Sequence, residues 1–163
     1  MVGVLVLIHQ HVAKPCLIFR GHVRESAEKI DRLTDQVIKI ESPSGDDTRQ
    51  WGPPFIERTR PDGSTERVSA YFQCANRGKS SVICDFQNAD DLENLKALIA
   101  DADVVIENFK VGGLDKYGLD YASMAARNPR LVYASITGFG QTGPRALQPG
   151  YDFLIQGMSG IMD

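Results

Sequence analysis

The chain has 163 residues, 42% of them hydrophobic and 24% charged, with a formal net charge of −3. That length supports one domain with a core and is short for two, and the composition is that of a soluble globular protein. The acidic balance gives no basis for nucleic-acid binding through a basic face, although a few local cations and backbone N–H groups suffice to hold a polyanion.

Residues 2–8 form an apolar run that reads as a short strand. It is far too short for a membrane span and lacks the basic flank of a signal peptide, so no membrane partner is expected. Three cysteines, Cys16, Cys74 and Cys84, form no CxxC pair and read as reduced thiols of a cytoplasmic protein. His9, His11 and Cys16 lack convergent partners and give no metal site.

Residues 24–33 carry Ala27, Ile30 and Leu33 at helical spacing. Residues 37–41, VIKIE, alternate like a half-buried strand. A turn-rich stretch follows through residue 54. Residues 57–67 are polar around Pro61-Asp62-Gly63, which predicts an exposed hairpin or loop.

Residues 81–86, SVICDF, predict a strand. Asn88 then fits a helix N-cap, with Asp90 and Asp91 in the first turn, where carboxylates favour the helix dipole. Leu92, Leu95, Leu98 and Ile99 supply an apolar stripe. A strand is predicted at 104–106, a short helix ending near Gly118, a helix at 121–127 stopped before Pro129, and a buried-type strand at 131–136. After a Gly/Pro-rich loop, residues 152–162 read as mostly helical. Strands separated by helical crossovers predict an α/β fold with a parallel sheet and flanking helices.

Gly138-Phe139-Gly140-Gln141-Thr142-Gly143 is a literal GxGxxG after a predicted strand, the pattern of a dinucleotide-binding turn and so of an NAD-dependent oxidoreductase. That fingerprint requires a helix to start at the glycines, so that its N-terminus meets the pyrophosphate. Pro144 and a second loop through Gly150 intervene instead. Asp152 opens a helical run and fits an ordinary N-cap.

Four motifs in order, WGPPF (51–55), NRGKSS (76–81), DADVVIENFKVG (101–112) and the stretch from Ala134 to Gly160 containing Gly150-Tyr151-Asp152, resemble the class III CoA-transferase family. That family includes formyl-CoA and carnitine CoA-transferases and the alpha-methylacyl-CoA racemases. The resemblance covers residues 37–163, read as a truncated, CoA-binding, Rossmann-like domain. Residues 1–36 diverge, because the Ala-Gly-Pro loop usual in the family is absent. The fold it implies is a partial Rossmann-like parallel sheet with flanking helices.

The resemblance implies CoA or an acyl-CoA as substrate, a carboxylic acid as acceptor and no tightly bound cofactor. In such enzymes an aspartate attacks the acyl-CoA thioester, a mixed aspartyl anhydride forms, and CoA leaves as the thiolate before the acceptor takes its place. Asn108, Phe109 and Lys116 match positions that hold CoA: an amide to hydrogen-bond, an aromatic edge for adenine, and a cation for phosphate. Asp85, Phe86 and Gln87 match a strand-end segment lining the same site, with Gln87 in place of a usual lysine. Tyr151 and Asp152 match active-site neighbours of the thioester. Tyrosine in place of the racemases' histidine favours transfer, since its hydroxyl is a poorer base. The family's nucleophile lies roughly thirty residues past the GYD motif, so these 163 residues are expected to be inactive alone, either as the amino-terminal part of a transferase or as a non-catalytic, partner-binding remnant. Full-length relatives form interlocked homodimers.

Overall fold

The protein is described by a computed structural model that covers residues 36–162 and the backbone of β1, Leu5–His9. The helix expected at 24–33, His11 and Cys16 lie outside the described residues.

Five strands make the main sheet: β1, β2 (Gln36–Glu41), β5 (Ser80–Ile83), β6 (Val104–Glu107) and β7 (Val132–Ser135), in the order β5-β2-β1-β6-β7. β2 pairs parallel with β5, and β6 parallel with β7. β1 is antiparallel to both β2 and β6, with Leu5 opposite Ile40 on one side and Glu107 on the other. The four remaining strands therefore share one direction, as the parallel reading requires, and β1 alone reverses it. β3 (Phe55–Thr59) and β4 (Thr65–Ser69) form a separate antiparallel hairpin over the expected polar stretch. Its turn is closed by Gly63 at φ 81°, where glycine carries no Cβ penalty, and by Asp62, whose carboxylate accepts from the Ser64 amide at 2.9 Å.

The core sits on one face of the sheet. Helix α2 (Ala89–Ala100) contributes Leu95 and Ile99, and α3 (Tyr121–Arg127) contributes Met124, against Ile38, Ile40 and Val105. Asn88 caps α2 as expected, accepting from the Asp90 and Asp91 amides at 2.9 and 3.2 Å. Leu92 and Leu98 are only partly buried at the margin of this cluster.

Helix α1 (Ala70–Asn76) was not legible as a helix in the polar stretch before it; Ser69 caps it through the Phe72 amide. Phe72 then covers the other face of β2, where Lys39 and Glu41 are buried. Lys39 Nζ lies 4.7 Å, and the Arg49 guanidinium 4.0 Å, from the Phe72 ring centre. Glu41 takes Arg49 at 2.8 Å and the Ser81 hydroxyl at 2.8 Å, and Lys39 is bonded to Asp46. Buried charges persist only when paired in this way.

Helix α4 (Asp152–Ser159) ends in a left-handed Gly160 at φ 76°. Its N-cap is Tyr151, so Asp152 belongs to the first turn and is not the cap. No helix among the described residues is long and apolar enough to cross a membrane.

Candidate functional site

Because β2, β5, β6 and β7 share a direction, the segments leaving their carboxyl ends gather along one edge of the sheet, where open α/β sheets bind ligands. Asp85, Phe86 and Gln87 follow β5, Asn108 and Phe109 follow β6, and the glycine loop follows β7.

Two of these exits are fixed by carboxylates. Glu107, buried at the end of β6, accepts from the Phe109 amide at 2.7 Å and turns the chain. Asp85 accepts from the Gln87 amide at 2.9 Å, while its own amide donates to Asp91 at 2.9 Å. The Asp85 carboxylate is therefore engaged in its own turn. Cys84, beside it, is core: it is 2% exposed, and burial, reinforced by the Asp91 and Asp85 charges, pushes its thiol up to about 12.

Phe86 and Phe109 come together, ring centres 5.9 Å apart, and Tyr117 meets Phe86 edge-on at 5.2 Å. Lys116 Nζ stands 4.7 Å from the Tyr117 ring centre. Phe86, Phe109 and Lys116 thus share one aromatic shelf, joined by Tyr117. The sequence reading missed Tyr117, although it lies one residue past Lys116 and just before the left-handed Gly118. Gln87 is exposed and Asn108 half-buried beside the shelf.

Next to the shelf a cleft of about 400 Å³ opens between the exits of β6 and β7. Its walls include Glu107, Lys110, Asp120, Tyr133, Ser135 and Gln141. None of the eight residues carried over by resemblance lines it. The Tyr133 hydroxyl donates to the Leu119 carbonyl at 2.8 Å, and its pKa is raised by burial and by the Glu107, Asp120 and Asp115 charges. Tyr133 is a donor there, not a base.

The glycine loop leaves β7 at Ile136 and returns at Gly150. A Cβ on Gly138 would run into Gly150 Cα, and one on Gly150 would stand 2.8 Å from the Gly138 amide nitrogen. The close approach fixes where Tyr151 and Asp152 begin. Residues 144–147 form a turn and α4 starts only at Asp152. No helix N-terminus stands at Gly143, so the geometry of a dinucleotide-binding turn is not formed. Tyr151 and Asp152 are exposed. Among the described residues no group of three or more His, Cys, Asp or Glu side chains is arranged to hold a metal.

The family model for CoA-transferase family III aligns with residues 35–163. The chain belongs to CoA-transferase family III. It is 56% identical over 128 residues to a succinate–glutarate CoA-transferase of Agrobacterium fabrum, covering 77% of this chain and 31% of that protein. It is 44% identical over 134 residues to an acetyl-CoA:oxalate CoA-transferase of Acetobacter aceti, covering 80% and 32%. Among solved structures, a CAIB/BAIF family protein from Brucella suis superimposes with a TM-score of 0.70 at 63% identity, over 77% of this chain and 32% of that one. The chain thus spans about a third of the length of the family III relatives it matches. β1 lies outside the family match.

Proposed function

We propose that this segment is the CoA-binding part of a CoA-transferase, which moves CoA from an acyl-CoA donor to a carboxylic acid acceptor. The observation that carries the reading is the shelf of Phe86, Phe109 and Tyr117 with Lys116 beside it, at the carboxyl edge of β5 and β6. A flat base packs on aromatic rings and a phosphate meets the ammonium, so the shelf suits the nucleotide end of CoA. Asn108 supplies an amide beside it, and Asp85 and Gln87 shape the rim.

Tyr151 and Asp152 are assigned to the thioester end, as hydrogen-bonding neighbours of the reacting carbonyl. The nucleophile's role is assigned to neither. The 163 residues alone are therefore expected to bind CoA without turning it over. This reading is supported by the kinship with succinate–glutarate and acetyl-CoA:oxalate transferases.

The test is thermal unfolding of the purified chain with and without excess CoA. A ligand that binds only the native state raises the transition, by roughly 2.7 kcal/mol of stability at a hundredfold excess over Kd. A cooperative transition unmoved by millimolar CoA would overturn the assignment. A rise with NADH and none with CoA would favour the dinucleotide reading instead.

A further inference from the structure

We propose that Glu107 is a positioning residue for CoA: without touching the ligand, it sets the affinity by holding Asn108 and Phe109 in the turn that presents them to the shelf. The role rests on the CoA-binding reading and adds to that site a residue outside the shelf itself.

Glu107 is 6% exposed, and a carboxylate so placed is costly unless it is engaged. Its engagement shapes the site. The ladder between β6 and β7 closes at the pair Glu107–Ser135, where the Ile136 amide donates to the Glu107 carbonyl at 2.8 Å. Beyond that pair the sheet no longer serves the Phe109 amide, and a buried donor must find an acceptor elsewhere. The Glu107 carboxylate takes it at 2.7 Å. A side chain that bonds its own backbone two residues on competes with continued strand, so the chain turns out of β6 here. The turn leaves the Phe109 ring 5.9 Å from that of Phe86.

The back of the same loop is held by other means. Leu114 is buried in the core, the Gly113 amide donates to the Lys110 carbonyl at 2.7 Å, and the Tyr117 amide donates to the Leu114 carbonyl at 3.0 Å. Lys116 and Tyr117 therefore take their place from the core, whereas the backbone that aims Asn108 and Phe109 takes it from Glu107. This role needs an acceptor oxygen and no charge. Asp115, Asp120 and Lys110 share the cleft wall with Glu107, so a role through charge or direct ligand contact is the rival, and the amide variant separates the two.

Isothermal titration of the 163-residue chain with CoA, well below each variant's melting temperature, is the test. Glu107→Leu keeps the bulk and removes the acceptor. It should weaken CoA about tenfold, because contact groups left loose must be ordered at the moment of binding. Glu107→Gln keeps an acceptor oxygen and should bind within about threefold of the unaltered chain. Ile99→Ala is the control for lost stability alone. Ile99 is buried near the end of α2, which leads back to the start of β6, at the edge of the sheet away from the shelf. This variant should lower melting through the cavity it leaves and bind CoA within about threefold.

Unchanged affinity in Glu107→Leu overturns the proposal. So does a loss in Glu107→Gln equal to that in Glu107→Leu, which would mean charge or contact, or an equal loss in Ile99→Ala, which would mean general loosening. An unaltered chain that melts cooperatively and binds no CoA overturns the CoA-binding reading and this role with it. Binding by the unaltered chain that ignores Glu107→Leu overturns this role alone. Amide exchange of the unaltered, ligand-free chain needs no variant: the Phe109 amide should exchange at least tenfold more slowly than in an unfolded peptide, and unprotected exchange there also overturns the role.

Discussion

Gly138 and Gly150 cross backbone to backbone, each occupying the space in which the other's Cβ would stand. This contact ties the end of β7 to the start of α4 and sets the origin of the Tyr151-Asp152 pair. A methyl group on either glycine must push the two strands of the loop apart. Gly138→Ala and Gly150→Ala should each cost about 1–3 kcal/mol, the usual penalty for overpacking. Gly157, inside α4 with open space around it, is the control: Gly157→Ala should stabilise by about 0.5–1 kcal/mol through helix propensity. Urea unfolding of the three variants checks the order, and equal effects would refute the role given to the crossing.

Lys116 is exposed and its ammonium lies against Tyr117. Lys116→Ala should leave melting of the free chain within about 0.5 kcal/mol, as surface changes do. It should weaken CoA about tenfold, the effect of losing one charge-assisted contact, and should weaken dephospho-CoA less if the 3′-phosphate is its partner. Isothermal titration with both ligands at two salt concentrations measures this.

Glu41 and Asp46 both have lowered pKa values. In each, burial raises the pKa, but bonds from Arg49 and Ser81 to Glu41, and from Lys39 and Thr48 to Asp46, outweigh it. A carboxylate with a lowered folded pKa adds stability that is fully present above its ordinary value, here 4.5 and 3.8, and is lost as pH falls through the lowered one. Stability should therefore hold from neutrality to about pH 5 with respect to these groups and decline below it. Glu41→Gln should lower stability at pH 7 by about 1–3 kcal/mol and flatten the acid limb, read from urea melts between pH 7 and 3.

The two cysteines among the described residues 36–162 differ in burial. Cys74 is exposed, whereas Cys84 is buried with its thiol pushed up to about 12. Because the thiolate is the reactive form, iodoacetamide at pH 8 should label Cys74 and spare Cys84 until the chain unfolds. Peptide mass mapping after native and denatured labelling decides it.

The alternation of strand and helix was legible because apolar periodicity survives wherever one face is buried. VIKIE became β2, the leucine stripe became α2, and 121–127 became α3 with the same bounds. What escaped was long-range. Nothing local in residues 2–8 tells a strand which way to run, so the antiparallel entry of β1 could not be read. Lys39 and Glu41 look like the wet side of a strand, yet Phe72 and Arg49 cover them from more than one segment away in sequence. At the site, Asp85, Phe86, Asn108 and Phe109 were legible as strand-end residues, whereas the shelf they build needs Tyr117, whose place depends on a turn. The cleft wall of Glu107, Lys110 and Tyr133 carries no sequence pattern of its own.

The reversed β1 also bears on how the chain reaches this state. β2 with β5, and β6 with β7, each close over some tens of residues, so each pair can form early as a local unit. Ile8, in contrast, pairs with Val104, nearly a hundred residues away. Joining the halves must therefore wait for the longest loop closure in the sheet, and contacts of high sequence separation are the slow ones. β1 itself meets β2 over a separation as short as those of the parallel pairs, so amide exchange during refolding should show β1-β2-β5 and β6-β7 as two separate kinetic units, with the β1–β6 ladder that joins them protected last.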